Sequence, residues 1–460
     1  MTRLPESRDM LNELDRVVDL VPDGVSADVR LSVGRTLTMR YANSAIHQPT
    51  LQFARTLSVR VEDHRRLGTA LSSDLSKEGI RRVIDEAARL ARVAPRERRF
   101  PGFPSAQGPA VRPTPFSDAT AHLTPERTAA LARASLRAAL RAVPAGRVSG
   151  VMNAGGSVLA VGTTKDLRRI TRRSFVHGTA LVDRPDLDPP PSGWSEGAHW
   201  SIDRFDAGRI GKEAGDRMPK EVPRTAPPGT YPVVLRGSAV QELLSFFGYL
   251  GFSGHGEEEG WSCLRGRRGR KLFPHWLDLV DDGRSTATLP FAFDYEGFPK
   301  RATPLVENGR AGAAVTDLVT AGRLRRRPSG HALPPEAPWG DWGPVPGNLV
   351  FRGGSASEDD LAREVGNGIL VTRFHYVRVV HPGRGEITGM TRDGTYRIEG
   401  GQVVGPVRNL RFTDSVVRAL QGALAAGKEV RCYSDEAGSS STACPALAVG
   451  AFRFTSGTKF

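Results

Sequence analysis

An α+β fold follows from three patterns in this sequence: strict apolar–polar alternation near the start, helical spacing in isolated stretches, and many short turn-bounded β segments after residue 277. Val25, Ala27, Val29, Leu31 and Val33 fall on one face of an extended chain. Ile80, Val83, Ile84, Ala87, Leu90 and Ala91 recur at the three- and four-residue spacing of a helix, as do Ala239, Leu243, Leu244, Phe247 and Leu250. A chain of 460 residues exceeds one ordinary core. The stretch 219–229, PKEVPRTAPPG, is the best boundary, giving an N-terminal α/β domain of small antiparallel sheets with helices (1–222) and a C-terminal β-rich domain with a long helix near its start (223–460).

Taken in order, Leu11, Leu14, Val17 and Val18 predict an opening amphipathic helix that Pro22 and Gly24 stop. The alternation from Val25, continued by Leu37, Met39 and Tyr41, predicts two antiparallel strands joined at Gly34 and Arg35. Leu57, Val59 and Val61 form the next strand, and 67–71 returns after a turn at 63–66. Asp74 or Ser76 can cap the helix that ends at Pro95, and Thr124, Pro125 and Glu126 start another that runs to Pro144. Strands at 148–152 and 157–161 are expected to turn at Ala154, Gly155 and Gly156, with a third at 168–182. The proline-rich segment 183–197 reads as a linker or lid, and 203–218 as helix. A strand from Tyr231 to Leu235 leads into the apolar helix 238–250. Beyond it the chain is mostly β, with a late helix at 414–426 and a hairpin closed by Gly400 and Gly401.

Composition narrows the function classes. The opening residues are charged throughout, without the apolar run of a signal peptide, and no window approaches 18 uninterrupted apolar residues, so a cytoplasmic location is the expectation. Three cysteines, Cys263, Cys432 and Cys444, are too few for a disulfide framework. The net charge of +14 invites nucleic acid. However, the basic clusters 168–173, 265–271 and 323–327 lack interleaved aromatics, and arginine-rich, alanine- and proline-rich composition reads instead as solvated basic faces or partner contacts.

No zinc-binding His-Glu-x-x-His or close variant lies on the helix 238–250. His255 with Glu257, Glu258 and Glu259, His375 with His381, and Cys432 with Cys444 lack a recognised ligand spacing. Asp281, Asp282, Asp294 and Glu296 sit in DDG and DYEG, ordinary turn sequences. No nucleophile elbow or phosphate loop appears in its required context.

The succession YPVVL, long helix, HWLDLVDDG (275–283), 290–317, PSGHA (328–332), GNGILVTR (366–373) and GGQVVGPVRNLRFT (400–413) resembles the TldD/PmbA family, and 27–50 is similar to that family's opening hairpin. The resemblance implies a cytoplasmic zinc-dependent peptidase complex, also named a modulator of DNA gyrase, with a substrate cavity enclosed between two subunits. It also implies that catalytic members carry His-Glu-x-x-x-His on the helix after the VVL strand, with a late cysteine completing the site. Laid without gaps from Val233, those positions hold Ser245, Phe246 and Leu250 in this chain. The resemblance is therefore to the PmbA/TldE subunit. It implies no catalytic residue, metal or cofactor in this chain, a TldD-like heterodimer partner carrying zinc, a peptide substrate, and a homodimer as the alternative assembly. His255, His331, Asn348 and Cys444 are the candidate substrate-contacting residues, Cys444 standing where the family's late cysteine would fall. Two other readings are an enzyme with replaced chemistry acting in a biosynthetic pathway and a basic regulatory protein that touches DNA or gyrase. Membrane and nucleic acid are not expected partners.

Overall fold

The alternation that begins near Val25 runs unbroken to Ala42, because the chain turns only where Asn43 and Ser44 adopt positive φ (50° and 60°). The computed structural model describes residues 3–188, 190–335, 343–436 and 438–458. Its first half contains, in order, α1 Ser7–Val18, β1 Ser26–Ala42, β2 Ala45–Asp63, β3 Arg66–Ser72, α2 Lys77–Val93, α3 Asp118–Ala121, α4 Pro125–Ala142, β4 Arg147–Thr163, β5 Arg168–Asp183, β6 Ser192–His199 and α5 Ala207–Asp216. The strands form one antiparallel six-stranded sheet, ordered β3-β2-β1-β4-β5-β6.

Three expectations need correction here. Gly34 lies inside β1, opposite Ala54 and Ser157, and Gly155 and Gly156 lie inside β4. Gly155 and Gly156 serve close approach rather than turning, since a Cβ on Gly155 would overlap the Arg35 carbonyl oxygen of the neighbouring strand, whereas Gly34 has open space around it. The result is one continuous sheet instead of several small ones. The segment 183–197 is also not wholly irregular, since β6 begins at Ser192, just past the last proline, and pairs with β5.

Odd-numbered residues of β1 (Val29, Leu31, Val33, Met39, Tyr41) face the helices and are buried. They pack beneath α1 and α2 at one end and α4 and α5 at the other. Ser76 and Thr124 cap α2 and α4 as expected. Asp28 and Arg30 point to the opposite face, where the second half of the chain docks.

That half contains β7 Gly229–Leu235, α6 Gly237–Phe252, α7 Gly254–Glu259, β8 Leu279–Asp281, β9 Thr303–Glu307, β10 Arg310–Ala311, α8 Leu318–Leu324, β11 Asn348–Phe351, α9 Glu358–Val365, β12 Gly368–His381, β13 Glu386–Glu399, β14 Gln402–Pro406, β15 Leu410–Ser415, α10 Val416–Gln421, β16 Ala423–Ala426, β17 Arg431–Ser434, β18 Ser441–Cys444 and β19 Leu447–Gly457. The sequence β12-β7-β19-β15-β13 closes on itself because β12 also pairs with β13. Closure removes the free edges that an open sheet must protect. Phe374, Phe412, Phe452 and Phe454 pack together in the core, with ring centroids 4.5–5.6 Å apart. A second sheet, β10-β9-β8-β11-β18-β17, flanks α6. The late helix is shorter than expected: Gly422 ends α10, and Ala423–Ala426 pairs with β19.

Candidate functional site

Helix α6 follows β7 after a single residue, Arg236, whose guanidinium is held by Glu358 and Thr372. Leu243, Leu244, Phe247 and Leu250 are fully buried in the core of the second half. Phe247 makes edge contacts with Phe252 and Phe273 at 5.2 and 5.5 Å. Of the three positions that match the zinc motif, Leu250 is sealed in this core, Phe246 packs partly buried against it, and only Ser245 is exposed. The Ser245 hydroxyl accepts a hydrogen bond from Gln241 at 3.1 Å.

Cys444 lies at the other end of the helix. Its thiol, fully buried, donates to the Gly237 carbonyl (3.4 Å), and burial pushes its pKa well above the ordinary value. Ser245 is eight residues further along α6, a rise of about 12 Å, whereas zinc holds its sulfur and nitrogen ligands within about 2.3 Å. The family's zinc site therefore does not fit these side chains: one hydroxyl, two hydrocarbons and a distant protonated thiol. A Cβ on Gly237 would overlap the Tyr433 hydroxyl, so glycine is what permits this tight helix start.

One polar residue on α6 was not singled out by sequence reasoning. Burial raises Glu242 to about 7, with Glu196 of β6 adding to the effect and Arg373 and Arg378 of β12 opposing it. Arg373 stacks over Trp194 at 4.0 Å and bonds Asp393 (2.6 Å), while Glu196 accepts from Trp194 Nε1 (3.3 Å). A carboxyl poised to hold or release a proton near neutrality thus sits where the two halves meet. A lone Glu in an otherwise apolar helix was the available signal.

His331 and Asn348, far apart in sequence, meet at Asp281. His331 Nε2 lies 3.1 Å and Lys300 Nζ 3.3 Å from Asp281 Oδ1, and the Gly347 and Asn348 amides donate to Oδ2 at 2.7 Å each. Asn348 Nδ2 donates to the Leu289 carbonyl (2.8 Å). All four side chains are at least nine-tenths buried. Lys300, His331 and the amides hold the Asp281 carboxyl well below its usual range despite burial, and desolvation followed by Lys300 lowers His331. Read as a turn acid, Asp281 is instead a buried hub. Asp294 does organise its turn, accepting from the Glu296, Phe298 and Ala332 amides.

His255 is placed on α7, apart from that hub. Its ligand atom and those of Glu258 and Glu259 lie within 4.8 Å of one another, the grouping among the described residues that could hold a cation. Glu258 already accepts from Arg323 (3.0 Å), which also binds Glu97, and Glu257 pairs with Arg326. The basic run 323–327 is thus partly spent on internal ion pairs.

The PmbA/TldA metallopeptidase C-terminal domain matches residues 228–456, and PmbA/TldA metallopeptidase domain 1 matches residues 27–91. The chain belongs to the TldD/PmbA family. A metalloprotease from Methanothermobacter thermautotrophicus is 26% identical over 255 residues, 53% of each chain, so this chain spans about half the length of the curated relative it matches. Among solved structures, a proposed modulator of a DNA gyrase from Thermotoga maritima superposes with a TM-score of 0.83 (19% identity, 98% of this chain and 100% of that one). TldE from Thermococcus kodakarensis superposes with 0.82 (17% identity, 97% and 99%). At such identities the likeness is one of fold, and it agrees with the α+β class expected for a TldD/PmbA member. No helix of the described residues is long and apolar enough to cross a membrane.

Proposed function

We propose that this chain is the non-catalytic, PmbA/TldE-like subunit of a two-component metallopeptidase: it forms part of the chamber that receives peptide, and a TldD-like partner brings the zinc. The observation that carries this reading is α6, where the three motif positions offer a solvated serine hydroxyl, a packing phenylalanine and a sealed leucine. With a phenylalanine where the motif's base would stand and no histidine pair to ligate zinc, the family's metal-assisted hydrolysis has no footing at these positions. Membership of a metallopeptidase family and the likeness to TldE support the rest.

Co-expression with a TldD-like chain that carries His-Glu-x-x-x-His tests the proposal. The expected result is co-purification, chelator-sensitive peptide hydrolysis by the pair, and no hydrolysis by this chain alone. Stoichiometric zinc together with chelator-sensitive peptidase activity in the isolated chain would overturn it.

A further inference from the structure

We infer that a cavity of about 630 Å³ between the start of β5, the segment 106–116 and Phe293 binds a small organic anion, a carboxylate or phosphate attached to an apolar group. β6 pairs with β5 only from Val176 onward, so residues 168–175 are left without that neighbour, and 106–116 passes beside them as a separate wall. The space falls within the range of small-molecule sites.

Its chemistry is specific. Arg172 Nε and Nη2 and Thr114 Oγ1 are screened from solvent and have no hydrogen-bond partner among the described residues. The nearest carboxylates to Arg172, on Asp118 and Glu6, stand 3.7 and 3.9 Å away, beyond hydrogen-bond reach, and both are largely exposed at the rim. Arg169 is held by the carbonyls of Gly297 and Pro109, with the Asp294 carboxyl acting on it electrostatically. Arg168 is neutralised by Asp15. Phe116, over which the Arg172 guanidinium stacks at 4.1 Å, offers an apolar wall together with Val111 and Ile170. An oxyanion seated on the part of the Arg172 guanidinium that stays open, the side chain being 21% exposed, would gain charge-assisted bonds that neither distant carboxylate makes, while its apolar portion covers the Phe116 ring.

Isothermal titration of the full chain with N-acetylphenylalanine, phenyl phosphate, inorganic phosphate and the neutral N-acetylphenylalanine amide tests the inference. Saturable binding of one organic anion at least tenfold tighter than the amide is expected, and the acid that binds tighter identifies the carboxylate or the phosphate as the natural group. Arg172→Gln should weaken that binding about tenfold or more, in line with the worth of a charged hydrogen bond. Circular dichroism should show this variant folded, since neither Nε nor Nη2 of the guanidinium bonds another described residue. Thr114→Val should weaken binding less, without loss of fold. Absence of saturation with both organic anions, equal binding of the neutral amide, or unchanged binding in a folded Arg172→Gln protein would each overturn the proposal.

Discussion

Asp281 shows how much a single buried charge can decide. It is fully enclosed and has Lys300 as its counter-ion, so Asp281→Asn leaves an ammonium buried without a partner. The expected cost is about 3–5 kcal/mol, read from chemical denaturation, and Asp281→Ala should cost no less. Because the folded carboxyl is held below its ordinary value of 3.8, its contribution is present above that value and fades as the pH falls through and below it. Glu242 behaves in the opposite sense. Its folded value of about 7 exceeds the ordinary 4.5, so the protonated form is favoured in the folded chain, and stability is lost as the pH rises from 4.5 through 7. Glu242→Gln should therefore raise the melting temperature more at about pH 8 than at about pH 5. An equal shift at both pH values would show that Glu242 keeps an ordinary carboxyl.

At the scale of elements, helix α6 was legible because its apolar residues keep strict helical spacing, and the sequence also displayed the replaced motif on it. The pattern says less about which end of the helix carries which contact. That Cys444 meets Gly237 and not Ser245 depends on the register of β18 against its neighbours, a long-range fact that local spacing does not encode. The hairpin positions failed for a related reason. Gly34 and Gly155 look like turn residues, but both lie within strands, Gly155 using its lack of a side chain for strand-to-strand approach, and Asn43–Ser44 makes the turn. His331 and Asn348 were picked out one by one, yet their common partner could not be seen until the sheet brought β8 beside β11. The packing role of α6 gives a direct test: Leu250→Ala should lose about 2–5 kcal/mol by leaving a cavity in a sealed core, whereas Ser245→Ala, at an exposed site, should be within about 0.5 kcal/mol of the parent in the same denaturation experiment.

Across the whole molecule, charged side chains tie the two halves of the chain together. Arg323 binds Glu97, Arg431 binds Glu213, and Arg60 bridges Asp28 on its own sheet to Glu296 from the other half, at 2.6 and 2.9 Å. The last is the most buried: Asp28 and Glu296 are 1% and 2% exposed. Removing the bridging cation by Arg60→Met leaves Asp28 with Arg30, but Glu296 keeps only the Leu318 amide on Oε2. The two halves should then be coupled less strongly, with a loss of about 3–5 kcal/mol at high pH. Burial already raises Glu296, to about 8, and loss of Arg60 pushes it higher, so acidification lets Glu296 take a proton and lose its need for the cation. The penalty should accordingly shrink as the pH falls. Calorimetry distinguishes this from a local packing defect: the parent should unfold in one transition, and Arg60→Met should broaden or split it at alkaline pH and restore a single transition on acidification. A uniform drop in melting temperature at every pH, with one sharp transition throughout, would mean that the other ion pairs and the apolar contacts hold the halves together without this bridge.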